Sequence, residues 1–98
     1  MLNIINKSPL TSVTLDTCLN TANGGDILLI EDAVYAATRG NAAEAMLREA
    51  MGRFKIYVLT PDLEARGLGD RLIEGVTSVD YGGFVDLTSN NKTCQSWL

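Results

Sequence analysis

The sequence predicts an α/β fold, a single three-layer domain in which a mainly parallel sheet of about five strands carries helices on both faces. Short apolar runs alternate with helix-like segments along the 98 residues, an order typical of right-handed β-α-β crossovers. The run Ile27-Leu28-Leu29-Ile30 is apolar throughout, as expected of a parallel strand that is covered on both faces. The length fits one domain over residues 1–98.

Each element follows from a local pattern. Leu15, Leu19 and Ala22 recur at the spacing of one helix face, and Asn23-Gly24-Gly25 behind them predicts a left-handed stop. Thr60-Pro61-Asp62 predicts a helix start with Thr60 as the N-cap. The predicted strands are 2–5, 27–30, 56–59, 76–79 and 94–98, and the predicted helices are 11 or 12 to 22, 33–37, 42–51, 60–67 and 81–88.

Charge and hydropathy exclude several function classes. A net charge of −4 argues against holding a nucleic acid by its phosphates, so we predict no direct nucleic-acid contact. No stretch approaches the ~20 apolar residues that span a membrane. Asn3, Asn6 and Lys7 interrupt the apolar core that a signal peptide needs, which predicts a cytoplasmic protein without membrane contact.

The chain has two cysteines and no histidine. Without histidine it can build neither a Ser-His-Asp nor a Cys-His catalytic site, and two cysteines alone do not make a zinc site. The pairs Gly24-Gly25 and Gly82-Gly83 lack the spacing of a dinucleotide or P-loop motif. We therefore predict no metal and no cofactor, which leaves thiol chemistry, carboxylate chemistry or no chemistry.

Acidic residues follow three of the predicted strands, at the end of a parallel sheet where ligand sites gather. They either converge on one site or simply cap the helices that begin there. The three groups are Glu31-Asp32, Thr60 to Asp62 and Asp80-Tyr81.

The segment Asp62 to Gly67 carries a charge pair at helical spacing. Asp62 and Arg66 are four residues apart, which predicts a local ion pair, and Gly67 is the predicted C-terminal cap. The functional alternative is that Arg66 is presented to a partner or to an anionic sulfur species.

Cys18 lies on the first predicted helix, about 60° from the centre of its apolar face at 100° per residue. This angle predicts a flank position between core and solvent. Two interpretations stay open: a small buried hydrophobe, or a thiol that carries sulfur or meets a partner's thiol. Asp16 is near and no Lys or Arg lies within a turn, so nothing local favours the thiolate.

Cys94 stands near the C-terminus, two residues after Lys92. It is either a strand residue that faces the sheet or a thiolate in a flexible tail. No sequence argument brings Cys18 and Cys94 within the ~6 Å that a disulfide requires. Trp97 needs a surface to cover it, and in so small a chain that surface can belong to another subunit.

Short motifs distributed along nearly the whole chain together carry a family resemblance. The most specific combination is Asp62-Leu63 with Ala65-Arg66-Gly67 and, downstream, Phe84-Val85-Asp86-Leu87-Thr88. The set resembles the DsrH/TusB family, the smallest subunit type of bacterial sulfur-relay complexes. The other matching segments are Asn6 to Pro9, Leu28 to Asp32, Val34 to Ala37, Tyr57 to Leu59, Asp80-Tyr81 and Gln95 to Leu98.

The resemblance implies an accessory subunit of a cytoplasmic sulfurtransferase complex. Its expected partners are DsrE/TusD-like and DsrF/TusC-like subunits, in a heterohexamer with two copies of each chain. The complex is expected to pass persulfide sulfur to a carrier of the DsrC/TusE type. The resemblance places the main catalytic cysteine on the DsrE/TusD-like subunit. Independently of the resemblance, the small core that 98 residues can bury predicts a homo-oligomer when this chain is alone.

The resemblance also gives Cys18 a candidate role. It falls where DsrH-type members from sulfur oxidisers carry a cysteine, which implies an auxiliary sulfur acceptor. This position favours dissimilatory sulfur oxidation over the alternative, the TusB-type relay for 2-thiolation of the tRNA wobble uridine. A purely structural subunit is the third alternative, and Cys94 matches no family position.

Overall fold

The computed structural model describes residues 1–22 and 24–97. Its five named strands are all parallel and form one sheet in the order β4-β3-β2-β1-β5, which confirms the predicted fold class. Asn23 and Leu98, assigned above to a helix stop and to the last strand, lie outside the described residues. The strands are β1 (Leu2–Ile5), β2 (Gly25–Leu29), β3 (Phe54–Leu59), β4 (Thr77–Val79) and β5 (Cys94–Trp97); the helices are α1 (Thr14–Thr21), a 3-10 helix (Glu31–Ala37), α2 (Glu44–Ala50), α3 (Thr60–Ala65) and α4 (Tyr81–Asn90).

The winding of the sheet determines which face each helix covers. From β1 to β4, every strand is added on the same side of the one before it. Right-handed crossovers then place the intervening helices on one face, and the return from β4 to β5 crosses the opposite face. Accordingly, α1, the 3-10 helix, α2 and α3 contribute to the core on the first face, while α4 packs on the second.

The first face carries the larger core. Ile27 and Leu29 of β2 and Ile56 of β3 lie at its centre, and helix residues such as Leu47 close it from above. Trp97 of β5 is half-buried against the same core. Part of the surface that covers Trp97 therefore belongs to this chain, whereas the sequence suggested another subunit. On the second face, the smaller core joins Leu2, Leu28 and Leu87.

Two glycines let β2 begin close against the start of β1. Gly24 and Gly25 have φ angles of +132° and +111°, but α1 already ends at Thr21 with Ala22 extended at its C-cap, so these glycines shape the start of β2 rather than the predicted helix stop. A Cβ on Gly25 would lie 2.7 Å from the carbonyl oxygen of Met1, so a larger residue there would force the two strands apart.

The structure corrects the start of the first helix. The prediction placed it at residue 11 or 12, whereas α1 begins at Thr14. Ser8 holds the preceding residues in turns: its Oγ accepts from the Leu10 N–H at 3.1 Å, and its carbonyl oxygen accepts from the Thr11 N–H at 3.2 Å. These local bonds compete with the first helical turn.

The ends of α3 are partly as predicted. Thr60 is not the N-cap, because the helix begins at Thr60 and Leu59 occupies the cap position without a side-chain cap bond. Gly67 does end the helix: it has φ +69°, and its N–H donates to the Glu64 carbonyl at 2.9 Å while the Leu68 N–H donates to the Leu63 carbonyl. This pattern is a Schellman motif.

None of the helices described here is both long enough and apolar enough to cross a membrane.

Candidate functional site

The carboxyl edge of the sheet holds a polar cluster, which we name the rim: Asn6, Glu31, Asp32, Asp62 and Arg66. The Glu31 N–H donates to Asp62 Oδ2 at 2.6 Å, and Asn6 Nδ2 donates to Glu31 Oε2 at 3.4 Å. The rim therefore ties together the chain segments that leave β1, β2 and β3. Two of the three predicted acidic groups do meet.

Glu31 adopts an unusual backbone conformation at the centre of the rim. Its φ is +50°, which lies in the left-handed region of backbone conformation. Residues other than glycine rarely adopt this region. Such a conformation costs of order 1 kcal/mol or more and persists where surrounding contacts fix it. The charge-assisted bond from the Glu31 N–H to the Asp62 carboxylate is one such contact, and it leaves the Glu31 side chain exposed.

Arg66 does not make the ion pair that its spacing predicted. Its Nε and Nη2 donate to Asp32 Oδ1 at 3.0 and 2.9 Å, and its Nη1 donates to the backbone carbonyl of Asp62 at 3.0 Å. The Asp62 carboxylate is turned toward Glu31 instead. Arg66 therefore links α3 to the 3-10 helix through Asp32, and only its bond to the Asp62 carbonyl stays within α3.

The third acidic group acts as a helix cap. Asp80 is the N-cap of α4, and its Oδ1 accepts from the Gly83 N–H at 2.8 Å. For this residue the capping interpretation is correct, because the bond satisfies a donor that the first helical turn leaves free.

The rim offers polar groups for binding but no thiol. It offers carboxylates, one carboxamide and one guanidinium, and both cysteines lie elsewhere, on α1 and β5. No group of three or more metal-ligating side chains occurs among residues 1–22 and 24–97. The carboxylates of Glu31 and Asp32 are exposed and can accept hydrogen bonds from another molecule.

Cys18 lies inside the larger core, not on its flank. Its side chain is 0% exposed, in the cluster that includes Leu15 and Leu19. The angular prediction was wrong because α1 contacts both β1 and β5, so the sheet covers a wider arc of the helix than the apolar stripe alone. Burial raises the pKa of the Cys18 thiol to about 11. At neutral pH the thiol is therefore un-ionised, and its role as a sulfur acceptor stays a prediction.

Cys94 is an exposed residue of the edge strand β5. It is in register with Leu2, which belongs to the smaller core on the second face. Cys18 lies on the first face, so the sheet separates the two free thiols. The strand interpretation of Cys94 is right, but its side chain is not covered.

An apolar groove of about 180 Å³ lies between the segment that leads into α1 and the start of α2. Leu10 and Val13, both exposed, stand on one side of it, and Ala43 and Met46 on the other. This groove was not predicted from the sequence. The available signal was Val13, which lies 200° from Leu15 at 100° per residue and so falls off the apolar face.

Two solved structures share this fold. The Escherichia coli ychN protein has a TM-score of 0.78 at 20% identity, with 97% of each chain covered. A Methanobacterium thermoautotrophicum protein of unknown function has a TM-score of 0.75 at 17% identity, covering 97% of this chain and 95% of that one. At these identities the likeness concerns the fold alone. It puts the chain in a class of small α/β domains with this sheet.

Sequence comparison narrows the class to one family. The family model described as "DsrH like protein" matches residues 7–94. Protein TusB of Serratia proteamaculans is 38% identical over 98 residues, covering 99% of this chain and all of that protein. Protein TusB of Escherichia coli O81 is 35% identical over 97 residues, with 99% and 100% covered. The chain belongs to the DsrH/TusB family, as its motifs predicted.

The burial of Cys18 predicts a large difference in reactivity between the two thiols. With a pKa of about 11, only about one thousandth of the Cys18 thiol is ionised at pH 8, and alkylation requires the thiolate. We expect iodoacetamide at pH 8 to modify Cys94 and to leave Cys18 unmodified until the chain is unfolded. Peptide mapping by mass spectrometry measures both sites in one sample, with Cys94 as the internal control.

The same pKa predicts a pH effect on stability. The folded pKa lies above the ordinary value of 9.0, so the unfolded chain ionises first and the free energy of unfolding falls as pH rises from 9 toward 11. Cys18→Ala removes this contribution.

Two results would contradict the burial of the Cys18 thiol. One is equal alkylation of both cysteines in the folded protein. The other is an equal fall in the free energy of unfolding between pH 9 and 11 in Cys18→Ala and in the unmodified chain.

Proposed function

We propose that this chain is an accessory subunit of a sulfur-relay complex in which another subunit supplies the catalytic thiol. The observation that carries the proposal is the position of Cys18, with a side chain that is 0% exposed and a pKa of about 11. A thiol that accepts sulfur needs access and a substantial thiolate fraction. Cys18 has neither in the folded chain.

The chemistry of sulfur transfer supports a catalytic thiol on another subunit. A thiolate attacks the outer sulfur of a persulfide, the S–S bond breaks, and the donor sulfur leaves as a thiolate while the acceptor becomes the new persulfide. The rim residues hold no sulfur and cannot act as the acceptor. In our proposal, this chain contributes binding surfaces, and the persulfide passes between a DsrE/TusD-like subunit and a DsrC/TusE-like carrier.

The rim is the surface that we propose for contact with a neighbouring subunit. Each of its residues comes from a segment that carries the family resemblance: Asn6, the pair Glu31-Asp32, Asp62 and Arg66. Membership of the family supports assembly with DsrE/TusD-like and DsrF/TusC-like chains, in a heterohexamer with two copies of each. The cytoplasmic location remains a prediction from the sequence.

For the pathway, we propose the relay that leads to 2-thiolation of the tRNA wobble uridine. The two relatives compared above are both named Protein TusB. Their names favour tRNA thiolation over sulfur oxidation, the pathway predicted first from the sequence. The net charge of −4 fits a step upstream of the tRNA rather than contact with it. Sulfur oxidation stays the second candidate, because Cys18 occupies the position of a DsrH-type cysteine.

Complementation tests the pathway and the role of Cys18 together. The chain is expressed with its partner subunits from the same genome in a bacterium that lacks its own TusB, and 2-thiouridine in tRNA is measured by mass spectrometry. We expect thiolation to be restored, and restored equally by Cys18→Ala, because no sulfur passes through this residue.

Two results would count against the proposal. If assembly is intact but the unmodified chain restores no thiolation, the pathway is wrong and sulfur oxidation is favoured. If the complex of Cys18→Ala assembles but restores much less thiolation than the unmodified complex, Cys18 is an acceptor after all.

The rim predicts a separate pair of variants. Glu31→Gly and Glu31→Ala both remove the carboxylate, but only glycine suits the φ of +50°. We therefore expect Glu31→Gly to be the more stable of the two by about 1 kcal/mol in chemical denaturation. Both variants should weaken assembly with the partner subunits in size-exclusion chromatography.

Glu74→Ala is the charge-matched control. Glu74 is exposed and precedes β4, so it lies toward the amino edge of the sheet, opposite the rim. It should assemble like the unmodified chain. Normal assembly of both Glu31 variants would remove Glu31 from the proposed contact surface.

A further inference from the structure

The edge strand β5 leaves one side of its backbone open. It pairs with β1 alone among the described strands, and its first three residues are exposed. Edge strands are usually protected from pairing with another chain by a proline, a charge, a bulge or a very short length. The four residues of β5 include no proline and no charge, and their register on β1 is unbroken. The opposite edge strand, β4, is only three residues long.

The register of β5 on β1 determines which backbone groups point outward. The Leu2 N–H donates to the Thr93 carbonyl at 3.0 Å, and Leu2 is in register with Cys94. Alternate residues of a parallel strand bond to the same neighbour, so Gln95 is the next residue of β5 to bond to β1. The N–H and C=O groups of Cys94 and Ser96 therefore point away from the sheet. They have no backbone partner in the part of the chain that the structure describes.

The helix above β5 presents an uncharged flank at the same edge. Thr14, Thr17 and Thr21 recur at the spacing of one side of α1. Thr21 lies near Gln95 at the β5 side of the helix, whereas Asp16, on the other flank, lines the groove toward α2. Neither the threonine flank nor β5 carries a charged side chain. Depletion of charge is typical of the centre of a protein–protein interface.

Two copies of this edge satisfy each other's outward groups. When the strands run antiparallel about a two-fold axis at Gln95, Cys94 of each copy lies opposite Ser96 of the other. Each such pair exchanges two backbone hydrogen bonds, so every outward N–H and C=O of both residues gains a partner. The positive groups nearest the strand, Lys92 and the amino terminus of Met1, lie at its amino end. Antiparallel pairing places those of the two copies at opposite ends, where they do not repel.

We propose that this edge binds a second copy of the chain, with the two β5 strands antiparallel and the two sheets joined into one. The threonine flanks of the two α1 helices face each other above the joined strands. Trp97 of each copy lies opposite Thr93 of the other, so its half-exposed ring becomes more buried. The contact is separate from the rim and does not depend on the sulfur-relay proposal.

The small contact area sets the expected affinity. One short strand and one helix flank bury less than the roughly 1,200 Å² at which standard interfaces begin, so we expect a dissociation constant on the order of 10 µM. Sedimentation equilibrium of the full chain between about 1 and 500 µM measures this constant. Over the same range, the fluorescence of the single tryptophan should shift to shorter wavelength, because Trp97 loses contact with water.

Gln95 lies on the proposed two-fold axis, and its side chain is exposed. Gln95→Lys and Gln95→Glu each place two like charges directly opposite each other, so the affinity of either variant for itself should fall at least tenfold. A mixture of the two variants places opposite charges across the axis and should restore the dimer. Thr77→Lys and Thr77→Glu, at an exposed position of β4, are the matched controls and should each dimerise like the unmodified chain.

Cross-linking tests the geometry in the unmodified chain. The exposed Cys94 thiols of the two copies are diagonal neighbours across the strand pair, with Cα atoms about 7–8 Å apart. A short bismaleimide should therefore link two copies covalently, as read on a denaturing gel. The double variant Cys94→Ser with Thr77→Cys moves the exposed thiol to β4 and should give no linked dimer.

Three results would overturn the proposal. One is a chain that stays monomeric at about 500 µM, which would leave β5 to a strand of another subunit. Another is dimerisation of Gln95→Lys as tight as that of the unmodified chain, or no recovery when it is mixed with Gln95→Glu. The third is equal cross-linking after the thiol is moved to β4, which would place the contact elsewhere.

Discussion

The right-handed crossover rule is the constraint from which the arrangement of this molecule follows. Strands β1 to β4 are added in one direction, so their crossovers fall on one face, and only the return to β5 crosses the other. The consequence is an uneven molecule, with most helices over the first face and α4 over the second. The chain returns across that second face to place β5 beside β1, where Trp97 meets Asn3.

This uneven layering separates the thiol from the surface that can recognise a partner. Cys18 lies under the thicker layer, where burial keeps it neutral, while the exposed carboxylates of Glu31 and Asp32 lie at the carboxyl edge. Reactive sulfur and close packing make opposite demands, since a thiolate needs solvent or a nearby cation and a core excludes both. The buried position of Cys18 therefore supports the proposed accessory role.

The sequence was informative where a feature depends on local pattern. The apolar run of β2, the stop at Gly67 and the family motifs all identify themselves over a few residues. The bonds of Arg66 with Asp32 and of Asp62 with the Glu31 N–H could not be predicted from local pattern. Helical spacing predicts which side chains can meet within a helix. The partners that Arg66 and Asp62 actually bind come from the end of a neighbouring strand, which the spacing does not include. Nor does any sequence pattern predict a glutamate at φ +50°.

Two other features were out of reach for related reasons. A helical wheel gives the angle of Cys18, but the width of the covered arc depends on how β1 and β5 lie beneath α1. Asn3 reads in sequence as a polar interruption near the N-terminus. Its bond joins it to Trp97, 94 positions away, so only the assembled sheet reveals this contact.

In the proposed relay, sulfur passes through the complex without residing on Cys18. The most direct test is to assemble the chain with its partner subunits, load the complex with a persulfide donor, and map every cysteine by mass spectrometry over time. We expect an added sulfur atom on a partner cysteine and then on the carrier, with Cys18 unmodified throughout. An added sulfur on Cys18 that appears before the carrier is loaded and disappears as the carrier gains it would show instead that Cys18 carries sulfur in the relay.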